Sequence, residues 1–183
     1  MSSPCGHSLI QPDWVPWSIA ASIAAKYVGQ REQSRNRSTF ILRVWRETWA
    51  DGGEYYEGRE PWCAAFVCWC LKQSMETSVR LGALPSRCLS PSVRIMRTML
   101  AGNSGARIVK WRDAMPGDVI TFLPAFSHVG IVEEKCLGGL ITIEGNTNGA
   151  GSREGDGVYR KQRAAELVAK CDVWRLPVGP AFK

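Results

Sequence analysis

Two residue types that can share a proton relay stand far apart in this chain. Cys63 lies in the run PWCAAFVCWCL, and His128 opens the run HVGIV after the loop LPAFS. Pro61 suits a first helical position, where its missing N–H costs nothing, which puts Cys63 about three residues into a helix. Backbone N–H groups at a helix start lack intrahelical partners, and the helix dipole is positive there. Both effects stabilise a thiolate, as does a histidine partner. Cysteine is also a small hydrophobe common in cores, and the same helix carries Cys68 and Cys70, so position alone does not make Cys63 a nucleophile. A lone histidine is likewise more often a structural, hydrogen-bonded residue. What raises His128 is the next strand, in which Ile141 and Ile143 point to one face, Thr142 and Glu144 to the other, and Asn146 follows past Gly145. Antiparallel pairing across a short loop would bring Glu144 to His128. Glu144 or Asn146 could then hold the imidazole tautomer, as the third member of a catalytic triad does. The other reading leaves Glu144 as a solvated strand residue.

The elements that must position these residues follow from periodicity. Residues 1–16 contain three prolines and read as an irregular arm. Ser18 caps a helix running to about Val28, with Ile19, Ile23 and Tyr27 on one face. A second helix starts near Ser38 or Thr39, buries Ile41, Val44, Trp45 and Thr48, and ends at Gly52-Gly53. The third helix, after Pro61, is apolar on all sides and therefore central. A fourth follows Ser90-Pro91, with Val93, Met96 and Leu100 inward and Gly102 closing it. After Trp111 short strands take over: 118–122, 128–132, 140–144, 158–163 and 171–176, with Gly138-Gly139 as a hairpin turn. Helices first and strands second predict an α+β domain with N-terminal helices on an antiparallel sheet. No domain boundary is visible, so residues 17–183 read as one catalytic domain.

Composition bounds the rest. The chain has 183 residues, 45% apolar and 22% charged, which fits one ordinary globular domain and excludes a disordered or collagen-like protein. No run approaches the roughly 18–20 apolar residues of a membrane span. The start, MSSPCGHSLIQPDWVPW, lacks the basic and apolar regions of a Sec signal peptide. Seven cysteines, an odd count, favour free thiols over a disulfide framework. Only His7 and His128 are available as histidine ligands and there is no C-x-x-C pair, so no metal or other cofactor is expected. Net charge is +6, and the seven basic residues Arg80, Arg87, Arg94, Arg97, Arg107, Lys110 and Arg112 lie in a stretch free of acids. Such a field attracts polyanions, or simply solvates the surface.

PWCAAFV at 61–67, PGDVITF at 116–122, HVGIV at 128–132 and TIEGNTN at 142–148 occur in the order of the CHAP family. The chain resembles these cysteine- and histidine-dependent amidohydrolases and peptidases of papain-like fold, which cleave peptidoglycan, from roughly Trp17 to Leu176. The resemblance implies that Cys63 is the nucleophile, His128 the base, Glu144 the residue orienting it and Asn146 a further polar site position. It implies no role in catalysis for Asp118. The segment GGEYYEGRE departs from the family pattern: it offers Tyr55, Tyr56 and Arg59, but no Gln or Asn, as oxyanion donor before the cysteine. The expected activity is hydrolysis of an amide bond in peptidoglycan by an N-acetylmuramoyl-L-alanine amidase or peptide endopeptidase, acting as an endolysin or a secreted antibacterial effector. Expected partners are peptidoglycan together with a holin, secretion machinery or an immunity protein. A monomer without nucleic acid or stable membrane insertion is expected, made in the cytoplasm and acting on the wall or periplasm. The rival readings are an NlpC-like endopeptidase, a non-catalytic wall-binding module, and a nucleic-acid-binding protein whose affinity would fall with salt.

Overall fold

The computed structural model describes residues 15–49, 60–77, 90–102, 105–150 and 154–177. Four helices precede the sheet: α1 (Val15–Ala25), α2 (Thr39–Thr48), α3 (Cys63–Thr77) and α4 (Val93–Ala101). Six strands follow: β1 (Arg107–Val109), β2 (Val119–Thr121), β3 (Val129–Cys136), β4 (Gly139–Thr147), β5 (Gly157–Ala164) and β6 (Asp172–Arg175), with a one-turn helix α5 (Ala165–Val168) before the last. The strands form one antiparallel sheet in the order β1-β6-β2-β3-β4-β5. The architecture is α+β.

Caps and apolar spacing explain the helices. The Ser38 hydroxyl accepts the Ile41 N–H at 3.1 Å, and Ile41, Val44, Trp45 and Thr48 form the buried stripe of α2. Ser92 does the same for α4 through the Ile95 N–H, with Val93, Met96 and Leu100 inward. Three sequence expectations shift. The first helix starts at Val15 rather than Ser18 and ends at Ala25. Its Pro16 lies in the first turn, where no intrahelical donor is lost, so residues 15 and 16, expected in the arm, belong to the helix, and residues 1–14 lie outside the described residues. The helix of Cys63 starts at Cys63 itself: Phe66 N–H already bonds Trp62 C=O at 2.9 Å, which makes Trp62 the capping residue and leaves Pro61 outside. The β3–β4 turn is Leu137-Gly138, because Cys136 and Gly139 pair directly. Gly52-Gly53 lies outside the described residues.

The sheet has two unlike faces. Val119, Val129, Ile131, Ile143 and Trp174 join α1–α4 in the larger core, in which α3 is buried from Cys63 through Leu71. Ile120, Phe122, Val132, Leu140 and Val173 form a smaller core on the other face, closed by Val168 of α5 and Ala114. Strand alternation puts Thr142 and Glu144 on this second face, with Leu140.

Candidate active site

Three of the residues singled out from the sequence meet at one end of the sheet. Cys63 is the first residue of α3, on the helical side. His128 immediately precedes β3, and Glu144 lies in β4; both side chains are fully buried. The imidazole Nε2 lies 2.9 Å from Glu144 Oε2. With Nε2 on the carboxylate, Nδ1 is the nitrogen left for the thiol. No hydrogen bond of good geometry ends on Nδ1, although Cys63 acts on the ring both through side-chain hydrogen bonding and through charge, each favouring the imidazolium. Thiol sites without a bound ligand commonly leave this bond open. His128 is thus bonded to a carboxylate through Nε2 and is also acted on by Cys63.

Close packing sets this geometry. Gly145, next to Glu144, has no room for a side chain: a Cβ there would come within 2.7 Å of Trp62 Cζ3 and 2.9 Å of Phe66 Cβ. The end of β4 therefore lies directly against the first turn of α3. Trp62 is held in turn by Glu32, whose Oε1 accepts the indole N–H at 2.9 Å. Around the imidazole, Phe122 and Phe126 stack on each other, with ring centroids 5.8 and 6.0 Å from that of His128.

Charge in so dry a place needs partners. Glu144 accepts four hydrogen bonds, two on each oxygen. Oε1 takes Thr142 Oγ1 at 2.6 Å and Arg163 Nε at 2.8 Å; Oε2 takes His128 Nε2 and Arg163 Nη2. Burial works to raise the Glu144 pKa, but the bonds from Arg163 and His128 outweigh it and bring the value down to about 2. Burial equally disfavours an imidazolium at His128; Cys63 and Glu144 overcome it and raise the pKa to about 9. The imidazolium form of His128 is therefore favoured beside the Glu144 carboxylate.

Asn146 is fully buried two residues beyond Glu144, with φ +55°, where β4 breaks register with β5 between Glu144 and Thr147. The left-handed region suits asparagine better than most residues. The other helix thiols are placed differently: Cys68 donates to Ser90 C=O at 3.6 Å, and full burial pushes Cys70 well above the ordinary thiol range. Tyr55, Tyr56 and Arg59 lie outside the described residues. The sequence reading missed Arg163, Thr142 and the Phe122–Phe126 pair. Alternation placed Thr142 beside Glu144 but did not reveal their bond.

A cleft of about 300 Å³ opens on Cys63. Trp45 and Val93 form part of its apolar lining, and Ser92, Ser127, Glu60 and Glu154 supply polar groups. Glu154 also pairs with the exposed Arg35 at 3.8 Å. Among the described residues no group of three metal-ligating side chains occurs, and no helix is long and apolar enough to cross a membrane. Comparison with family models, curated proteins and solved structures yields no match to the chain.

Proposed function

We propose that the chain is a thiol hydrolase of amide bonds, and that its α+β fold is of the papain-like kind. The observation that carries this is the buried His128 held by Glu144 through Nε2, with Cys63 at a helix start acting on the same ring. In the reaction His128 takes or holds the thiol proton, and the sulfur attacks the carbonyl carbon of the bound amide. The Cys63 N–H, without an intrahelical acceptor, donates to the developing oxyanion. His128 then protonates the leaving amine, and water hydrolyses the thioester.

More particularly, we propose a CHAP-like peptidoglycan hydrolase, an N-acetylmuramoyl-L-alanine amidase or peptide endopeptidase that acts on the wall after release from the cell or delivery to it. The cleft supports a peptide substrate: it pairs apolar surface with a few polar groups. Its Glu60 and Glu154 disfavour a phosphate backbone at the thiol, which weighs against the nucleic-acid reading despite the +6 charge.

Purified peptidoglycan incubated with the wild-type chain should release fragments with new amine termini, identified by mass spectrometry; the termini name the bond and separate amidase from endopeptidase. Cys63→Ala should release none. Wild-type protein that binds sacculi yet frees no fragment would make it a binding module and end the enzyme reading.

A further inference from the structure

An orienting carboxylate needs one oxygen on its imidazole; Glu144 has a second cation on both. Arg163 sits in β5 opposite Leu140 and extends along the strand to Glu144, with Nε on Oε1 at 2.8 Å and Nη2 on Oε2, the oxygen that also meets His128. Its guanidinium lies over Phe122 and Phe126, 4.9 and 5.7 Å from their centroids, and these rings also flank His128. The Arg163 side chain is 9% exposed and that of Glu144 fully buried. A carboxylate this dry, left with the imidazole and the neutral Thr142 hydroxyl, gains proton affinity and loses the forked anchor that fixes its plane.

We propose that Arg163 is a positioning residue of the thiol site: its two N–H groups lock the Glu144 carboxylate against His128 and keep it charged in acid, so that the cysteine–histidine pair works well below neutral pH. This rests on the thiol reading above. Among the described residues, the titratable and charged groups that act on Glu144 are His128 before β3, Arg163 and Lys161 on β5, and Cys171 after α5, while Cys63 on α3 acts on His128. Of these, Arg163 alone bonds both oxygens. Without it, Glu144 takes up a proton at higher pH, and the imidazolium beside Cys63 loses its counter-charge.

The test follows the rate at which iodoacetamide modifies Cys63 in the full chain from pH 3 to 8, read by peptide mass spectrometry, for wild type, Arg163→Gln and Arg163→Lys. The acid limb should move up by about one pH unit in Arg163→Gln, a tenfold slower reaction on that limb, and return in Arg163→Lys. Arg163→Gln with unchanged near-ultraviolet circular dichroism and a wild-type limb overturns the inference. Should that variant not fold, nitrogen-15 resonances of His128 in the wild type decide: a flat Nε2 shift between about pH 3.5 and 6 supports the lock, and an inflection there overturns it. A wild-type Cys63 no more reactive than the partly exposed Cys136 overturns the thiol reading itself, and this inference with it.

Discussion

Two forked arginine–carboxylate pairs of the sheet, one buried and one half-buried, do different things. Arg163 grips Glu144, as described. Arg175, in β6, grips Asp118, in the turn before β2: Nη2 meets Oδ2 at 2.9 Å and Nε meets Oδ1 at 3.2 Å. The remaining capacity of the second pair goes to backbone. Asp118 Oδ2 accepts the Met115 N–H at 2.8 Å, and Arg175 Nη2 donates to Asp113 C=O at 2.6 Å. That pair is a latch fastening β6 to the turn that feeds β2. In the first pair the same fork leaves one oxygen on an imidazole, and Cys63 acts on that imidazole. The fork is a common way to bury a carboxylate; what the remaining lone pair faces decides whether it holds chain or holds chemistry.

Exchanging each carboxylate for its amide tests this contrast most strongly. Glu144→Gln should slow wall digestion by about 10⁴-fold, the order seen when a triad acid becomes an amide that favours the wrong tautomer, and should slow Cys63 alkylation by about tenfold, because an unassisted thiol still ionises in part. Asp118→Asn should leave both rates within about threefold of wild type. Urea unfolding should show a loss of about 3–5 kcal/mol for Glu144→Gln, which strands a buried guanidinium. For Asp118→Asn the loss should be about 1–3 kcal/mol, since Arg175 is more exposed and keeps the Asp113 carbonyl. Equal losses of activity in the two variants would erase the distinction.

Acid and alkali act on the His128 side of the comparison. The folded pKa of His128 is raised from 6.5 to about 9. The stability it contributes is full below about 6.5 and is lost as pH rises through 9, up to roughly 3 kcal/mol in the limit. Glu144 is lowered from 4.5 to about 2. Its contribution is full above about 4.5 and is lost as pH falls through 2. Urea midpoints should therefore decline from pH 6.5 to 9 in the wild type and in Asp118→Asn. In His128→Gln that alkaline decline should flatten. A decline of wild-type size in His128→Gln would place its source elsewhere.

The difference between the two pairs also marks what the sequence could reveal. Strand alternation puts Glu144 opposite in direction to Ile143, and a short loop between two strand runs brings it towards His128. The faces of α2 and α4 were legible because Ile41, Val44, Trp45 and Thr48, and again Val93, Met96 and Leu100, repeat at helical spacing behind a serine cap. Arg163 was not legible. It stands in VYRKQRA, a run that reads as a solvated strand, and Arg160, three residues earlier and so on the opposite face, does lie exposed, paired with Glu133. The burial of Arg163 depends on the β4–β5 register and on the rings of Phe122 and Phe126, which are properties of pairing rather than of local pattern. The three-residue β1, with Arg107 and Ile108 exposed, is too short to show alternation, and α5 is a single turn. Both were missed for want of length.

The smallest expected effect comes from the backbone that sets the distance between histidine and carboxylate. Gly130, in HVGIV, pairs with Ile120, and a Cβ built on it would lie 2.7 Å from Glu144 Cγ. Glu144 cannot stay where it is beside an alanine; its chain must give way while Arg163 and Thr142 hold its oxygens. Displacements well under 1 Å at a catalytic group are enough to cost about tenfold in rate. Gly130→Ala should therefore slow Cys63 alkylation by about 3–10-fold and lower stability by about 1 kcal/mol, within the range of overpacking. Gly138→Ala, in the β3–β4 turn with its nearest neighbour, Gln162 Nε2, at 3.9 Å, should change neither. Unlike the amide exchanges, this variant keeps every charged and hydrogen-bonding group at both pairs. A rate loss in Gly130→Ala without loss at Gly138 therefore isolates position from charge at the Glu144 fork. A wild-type rate would mean that the carboxylate tolerates displacement, and that its charge alone serves the imidazole.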